Sequence, residues 1–335
     1  MQAAKPPVGV LFDSAMGEDI GEALALALLY GLDGKQECRV VATATNKSNI
    51  QSAAFLETVA RFYAGTVSAA FAATGRTLPV GMNEKGLLSG ATPMLTAPLA
   101  RTNETGEPLY NHGIHKLVDT ADPVAVLRNA LTAQHDGNAA VVLTGPATNF
   151  AGVLALPDGK SWIERKVRLL AVAEGRLEAD IPSAKKLFAE WPGPIVVVGR
   201  EVGEALRYPG DSIERDFAWT NAHPVVDAYR AAGKMPYDAP AHAMAAALHA
   251  VRTDKPYFQL SDAGTFQVGS DGRLTLAPGA GAHRRLSIDP GKKDEVIRTF
   301  IELASAKPVP RPSRRPGPPP AQQQAAPPKP PEAKP

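Results

Sequence analysis

Residues 12–23 read FDSAMGEDIGEA and run directly into LALALLYGL at 24–32. The second stretch is an unbroken Ala/Leu run with helical character, closed by Gly31, which is placed as a C-terminal cap of a helix from about Asp19 to Tyr30. The first stretch carries Asp13, Glu18, Asp19 and Glu22. Before it, PVGVLFD at about 7–13 is a short apolar run ending on a carboxylate, the pattern of a buried parallel strand. The unit is therefore strand, acidic loop, buried helix. Asp19 can cap the helix and Glu22 follows three residues later, the spacing of a capping box. The same two carboxylates can equally hold a ligand, and the spacing leaves both readings open. Asp13 is different, because a carboxylate closing a buried strand needs a partner or a function.

Working outward, the same alternation repeats. RVVATAT (39–45) reads as a strand, and SAAFLETVARFYAG as a helix closed by Gly65. PVAVLRNALTAQ is helical and is followed by the strand AAVVLTG. VRLLAVA (167–173) and PIVVVG (194–199) are two more apolar strands, with the helical SAKKLFAEW between them. This order predicts an α/β fold: an open, mostly parallel sheet with helices on both faces. Such sheets bind ligands outside the carboxyl ends of their strands. Asp13, Asn46 to Asn49 and Thr144 to Asn149 all follow strands, so they are expected in one crevice. GTFQVGSDGRLTL reads as a β-hairpin turning at Asp271-Gly272, and KKDEVIRTFIELA as a terminal amphipathic helix.

Composition narrows the function classes. With 44% hydrophobic and 21% charged residues over 335 positions, the chain has a globular composition. The net charge of +2 is uneven: residues 307–335 hold six Lys/Arg and one Glu, so the preceding part carries 2 − 5 = −3. No basic face of the kind nucleic acid needs is indicated. Two units are expected, an α/β domain over 1–306 and a proline-rich, basic, disordered tail over 307–335. Cys38 is alone and lies in a strand pattern, which rules out an internal disulfide and a thiolate cluster. No apolar run is long enough to span a bilayer, so no membrane association is expected. The N-terminus shows no signal pattern; the default expectation is cytoplasmic, or secreted or periplasmic if a leader was removed.

Two further segments can carry chemistry. TGPATNF (144–150) is a strand-to-helix turn presenting backbone groups and Asn149, and PAHAMAAALHAV places His242 at the mouth of a helix. His242 reads either as a structural hydrogen-bonding residue or as a catalyst.

Taken in order, these segments resemble the inosine–uridine-preferring nucleoside hydrolase family over about residues 8–275. FDSAMGEDIGEALALALL resembles the family's D-T-D-x-G-N-D-x-D-D-A-L-A-L cluster. NKSNIQSAAFLETVARFYAG resembles the segment bearing a ribose-contacting Asn, placed at Asn49. VVLTGPATNFAGVLA resembles the T-G-P-x-T-N turn, EWPGPIVVVGREVG a strand of bacterial members, and PAHAMAAA the H-D-x-x-A segment. The resemblance implies the nucleoside hydrolase fold, hydrolysis of the N-glycosidic bond of a nucleoside, a Ca²⁺ ion holding water and ribose hydroxyls, a small-molecule nucleoside as partner, and a homodimer or homotetramer.

Carried over residue by residue, the resemblance is incomplete. Asp13 keeps the first Asp of D-T-D as a substrate contact. Ala15 replaces the second, a calcium ligand and base, and Gly21-Glu22 replaces the D-D pair. Thr144 keeps a carbonyl for the metal, while His242-Ala243 keeps the histidine and loses another metal carboxylate. The Phe-Asn of the family's middle loop is absent from RLEADIPSAKKLF. The resemblance thus implies Asp13, Asn49 and Asn149 for substrate, His242 and Asp19 for catalysis, Glu22 and Thr144 for a weakened or absent Ca²⁺ site. Asp238 is a candidate stand-in for the ligand missing at Ala243. Three readings stay open: a hydrolase-like protein with weak or lost catalysis, an active N-ribosyl hydrolase with a reorganised acidic site, and a non-catalytic binding or scaffold protein using the proline-rich tail.

Overall fold

The computed structural model describes residues 6–64 and 80–309; most of the expected tail, and Gly65, lie outside them. Ten strands form one sheet among the described residues: β1 (Val8–Ser14), β2 (Cys38–Thr45), β3 (Val80–Met82), β4 (Ala139–Leu143), β5 (Val167–Ala173), β6 (Ile195–Val198), β7 (Phe258–Leu260), β8 (Gly264–Val268), β9 (Leu274–Pro278) and β10 (His283–Ile288). The order is β3-β2-β1-β4-β5-β6-β10-β8-β9, with β7 beside β10. β1 to β6 pair in parallel, as do β6 and β10, and β7, β8 and β9 add antiparallel pairs.

Alternation along the central strands builds two cores. In β5, Leu169, Ala171 and Ala173 face one, and Leu170 and Val172 the other. The first core is covered by helices Ile20–Gly34, Ile50–Tyr63, His242–Val251 and Lys293–Ala304, and the second by Pro123–Thr132, Thr148–Leu154 and Ile181–Glu190. The open, mostly parallel sheet with helices on both faces is therefore observed. Inward and outward faces are both buried, which explains why the strand sequences read as continuous apolar runs.

One local expectation is corrected. The first helix runs past Tyr30 to Gly34 and ends with Lys35 as its cap and Gln36 at φ 61°. Gly31 lies inside that helix. A Cβ there would sit 2.1 Å from the carbonyl oxygen of Leu303, so the glycine admits the terminal helix rather than ending its own. The second helix runs Ile50–Tyr63 with Ala64 at its C-terminal cap, and Gly65, expected to close it, lies outside the described residues.

Candidate functional site

The carboxyl ends of β1, β2 and β4 are stitched together before any side chain is considered. Asn46 N–H donates to Ser14 O at 2.9 Å, and Thr144 N–H to Asp13 O at 2.9 Å. Gly145 lets the turn after β4 lie against β1, since a Cβ there would be 2.7 Å from Ala15 N. Gly17 (φ +108°) bends the loop toward the helix, in a conformation that L side chains rarely adopt.

Two fully buried carboxyls occupy this junction. Asp13 Oδ1 accepts from Asn46 Nδ2 at 3.0 Å and Asn149 Nδ2 at 2.9 Å. Glu22 Oε1 accepts from Ala15 N–H and from the Thr144 hydroxyl, both at 3.0 Å. The other oxygens of both groups, with Asn46 Oδ1 and Asn149 Oδ1, are buried without a hydrogen-bond partner. Burial is the dominant influence on each carboxyl: it pushes Asp13 up to about 7 despite its two amide donors, and Glu22 up to about 8, helped by the neighbouring charge of Asp19.

Asp19 is the helix cap, accepting from Gly21 N–H at 2.7 Å. Glu22 does not complete a capping box, because its side chain turns inward to Ala15 and Thr144. Asn49 is also a cap: its oxygen takes Gln51 N–H and its amide donates to Ser89 O, both at 2.9 Å. The asparagine that reaches Asp13 from this segment is Asn46. Asp238 is committed elsewhere, accepting from Gly210 N–H at 2.9 Å. Ala15 and Ala243 are buried.

His242 begins helix His242–Val251. Its Nδ1 is buried without a partner, packed against Gly203, where a Cβ would be 2.8 Å away. Burial is the main cause lowering its pKa; Asp19 and Glu204 oppose this, and Arg200 and Arg176 add to it. A separate charged group lies on the same loop. Glu18 Oε1 accepts from Lys47 Nζ at 2.5 Å, and its Oε2 lies 3.6 Å from Arg176 Nη2. The Lys47 side chain is 0% exposed and Glu18 22%. Lys47 escapes a reading based on motifs; the only signal is a lysine directly after an apolar strand in an α/β crevice.

No protein-family model matches the chain, and no curated protein does. Solved structures do. A plant nucleoside hydrolase, PpNRh1, superposes with a TM-score of 0.59 at 17% identity, over 90% of this chain and 100% of that one. The inosine–uridine-preferring nucleoside hydrolase of Bacillus anthracis gives 0.60 at 13% identity, over 88% and 99%. The type III effector protein XopQ, in complex with adenosine diphosphate ribose, gives 0.62 at 12% identity, over 91% and 94%. The chain has the nucleoside hydrolase fold.

Proposed function

We propose that this is a nucleoside hydrolase-like protein that keeps a crevice for a ribonucleoside-type ligand and has weak or no calcium-dependent N-glycosidic hydrolysis. The observation carrying this reading is the state of Glu22. It is the one carboxylate among the calcium ligands that the resemblance implies, and one of its oxygens is already taken by Ala15 N–H and Thr144. A calcium ion wants about six to eight oxygen ligands. Here Ala15 and Ala243 stand as buried methyl groups where two carboxylates are expected. Among the described residues, no group of three or more His, Cys, Asp or Glu side chains gathers to hold a metal ion. The residues present do not fit the ion.

Asp13, Asn46 and Asn149 are the proposed ligand contacts: their buried amide and carboxyl oxygens lack hydrogen-bond partners and would accept from sugar hydroxyls once the junction opens to a ligand. Asp19 and His242 remain the candidate catalytic groups, but Asp19 is engaged as a cap and burial favours neutral His242. A general acid acting alone contributes only about 10²- to 10⁴-fold.

Ribose release from a panel of purine and pyrimidine nucleosides, with calcium and then with EDTA, tests this reading. Negligible release in both is expected. Turnover that EDTA abolishes would establish a working metal site and overturn it; turnover that survives EDTA would favour a reorganised, metal-free acidic site.

A further inference from the structure

The Asp13 junction is closed. Asp13, Glu22, Asn46 and Asn149 are at most 2% exposed, yet each keeps a buried oxygen without a hydrogen-bond partner. A sealed place that is to take a ligand must open somewhere along its rim, and the rim is not uniform. One side is pinned by short neutral bonds. The Thr92 hydroxyl donates to Gly17 O, Ser48 N–H to Leu88 O and the Asn49 amide to Ser89 O, each at 2.9 Å. These bonds fasten the segment after β3 to the loops after β1 and β2.

The other side is ionic. Glu18, in the loop after β1, takes Lys47 from the loop after β2 on Oε1 at 2.5 Å, and faces Arg176 from the loop after β5 with Oε2 at 3.6 Å. In the sheet, β1 and β4 lie between β2 and β5. The Lys47–Glu18–Arg176 chain therefore spans the strand ends that carry the junction. Its members adjoin the junction's own residues: Lys47 follows Asn46, Glu18 lies four residues before Glu22, and the charge of Arg176 bears on both Glu22 and His242.

The two halves of this chain differ in strength. Lys47 is fully buried, so its short bond to Glu18 is costly to break. Arg176 is 35% exposed, and among the described residues its polar contacts are two long ones to Glu18, 3.4 Å to the carbonyl oxygen and 3.6 Å to Oε2. Pairs of this kind contribute little and are screened by salt. The next residue, Leu177, is buried in the second core and holds the backbone, so the guanidinium can swing while the loop stays in place.

We propose that Arg176 is a gate: its guanidinium closes the β5 side of the crevice by leaning on the Glu18–Lys47 pair, and its release opens the Asp13 junction to a ligand. The inference rests on the reading above for the ligand and concerns how the ligand's place is reached.

Hydrogen exchange of the full chain at pH 7, read residue by residue, tests the gate without a ligand. The reporter is Ala15 N–H, bonded to Glu22 Oε1 inside the junction. The reference is Leu170 N–H, bonded to Pro194 O at 3.0 Å in the sheet. Arg176→Ala is expected to speed exchange at Ala15 about fivefold, the scale of one part-exposed ion pair, with Leu170 unchanged. Sodium chloride at about 0.5 M should speed Ala15 in the parent protein and not in Arg176→Ala. Arg176→Lys, which keeps the charge, should exchange more slowly than Arg176→Ala and keep the salt response. Exchange at Ala15 that ignores both salt and Arg176→Ala overturns the gate. Equal acceleration at Ala15 and Leu170 also overturns it, since the substitution would then loosen the whole fold. Failure here leaves the nucleoside reading standing, and failure of the ribose-release assay leaves the gate standing, because no nucleoside enters this measurement.

Discussion

Glu18, in the loop after β1, and Glu22, in the first turn of the helix that follows, lie four residues apart and have opposite surroundings. Glu18 is partly exposed and faces Lys47 and Arg176. Glu22 is sealed in and faces an amide and a hydroxyl, its second oxygen buried without a partner, with burial pushing it up to about 8. The first is a carboxylate paired with two cations. The second is a carboxyl for which two neutral donors do not replace the lost water. The contrast locates what this crevice lacks: positive charge at Glu22, whether from a metal or a side chain.

Neutralising each group separately should break the symmetry between them. Glu18→Gln leaves the buried Lys47 ammonium without its carboxylate and is expected to destabilise the fold by about 3 kcal/mol or more in denaturant titration at pH 7. An effect under about 0.5 kcal/mol would mean that the pair is solvated and contributes little.

Glu22→Gln should act in the opposite direction above pH 8. The folded-state pKa of Glu22 is raised above its unfolded value, so the native state holds the proton more strongly. Its contribution is then fully present below about pH 4.5 and lost as pH rises through about 8. Asp13 behaves alike between about 3.8 and 7. Wild-type stability should fall between pH 5 and 8.5 by an amount of the order of a few kcal/mol, and Glu22→Gln should flatten much of that slope. A wild-type profile that rises over this range would contradict the assignment.

Restoring the missing carboxylates sharpens the comparison further. Ala15→Asp with Ala243→Asp buries two new charges and should melt below the parent in EDTA. Added calcium should recover much of the loss by binding the native state. A double variant indifferent to calcium would mean that these positions do not converge on one ion. The smallest effect is expected from Asn49→Ala, which removes a helix cap worth about 1 kcal/mol. A larger loss of ligand affinity than of stability would restore Asn49 as a ligand contact.

The strands and the crevice were legible because parallel strands buried on both faces leave unmistakable apolar runs, and because Asp13 ends one of them. The hairpin was legible for a local reason, the Asp271-Gly272 turn, where Gly272 takes φ +81°. What could not be read was which of several polar residues in a short loop points inward. Asn46 and Asn49 are three apart on one segment, and only the end of β2 and the start of the next helix decide that Asn46 meets Asp13 while Asn49 caps. The capping-box spacing at Asp19 and Glu22 misled for the same reason: Thr144 comes from a different strand, and its hydroxyl draws Glu22 inward. Gly31 reads as a helix end because its sequence context contains no trace of Leu303.

The most direct test is a calcium titration of the metal-stripped protein at pH 7.5, with heat and released protons recorded together. A crevice in which Glu22 holds a proton and no calcium site forms predicts no saturable heat and no proton release up to millimolar calcium. Saturable submillimolar binding with release of about one proton per ion would show that calcium displaces a proton from Glu22 or Asp13, and would contradict the account.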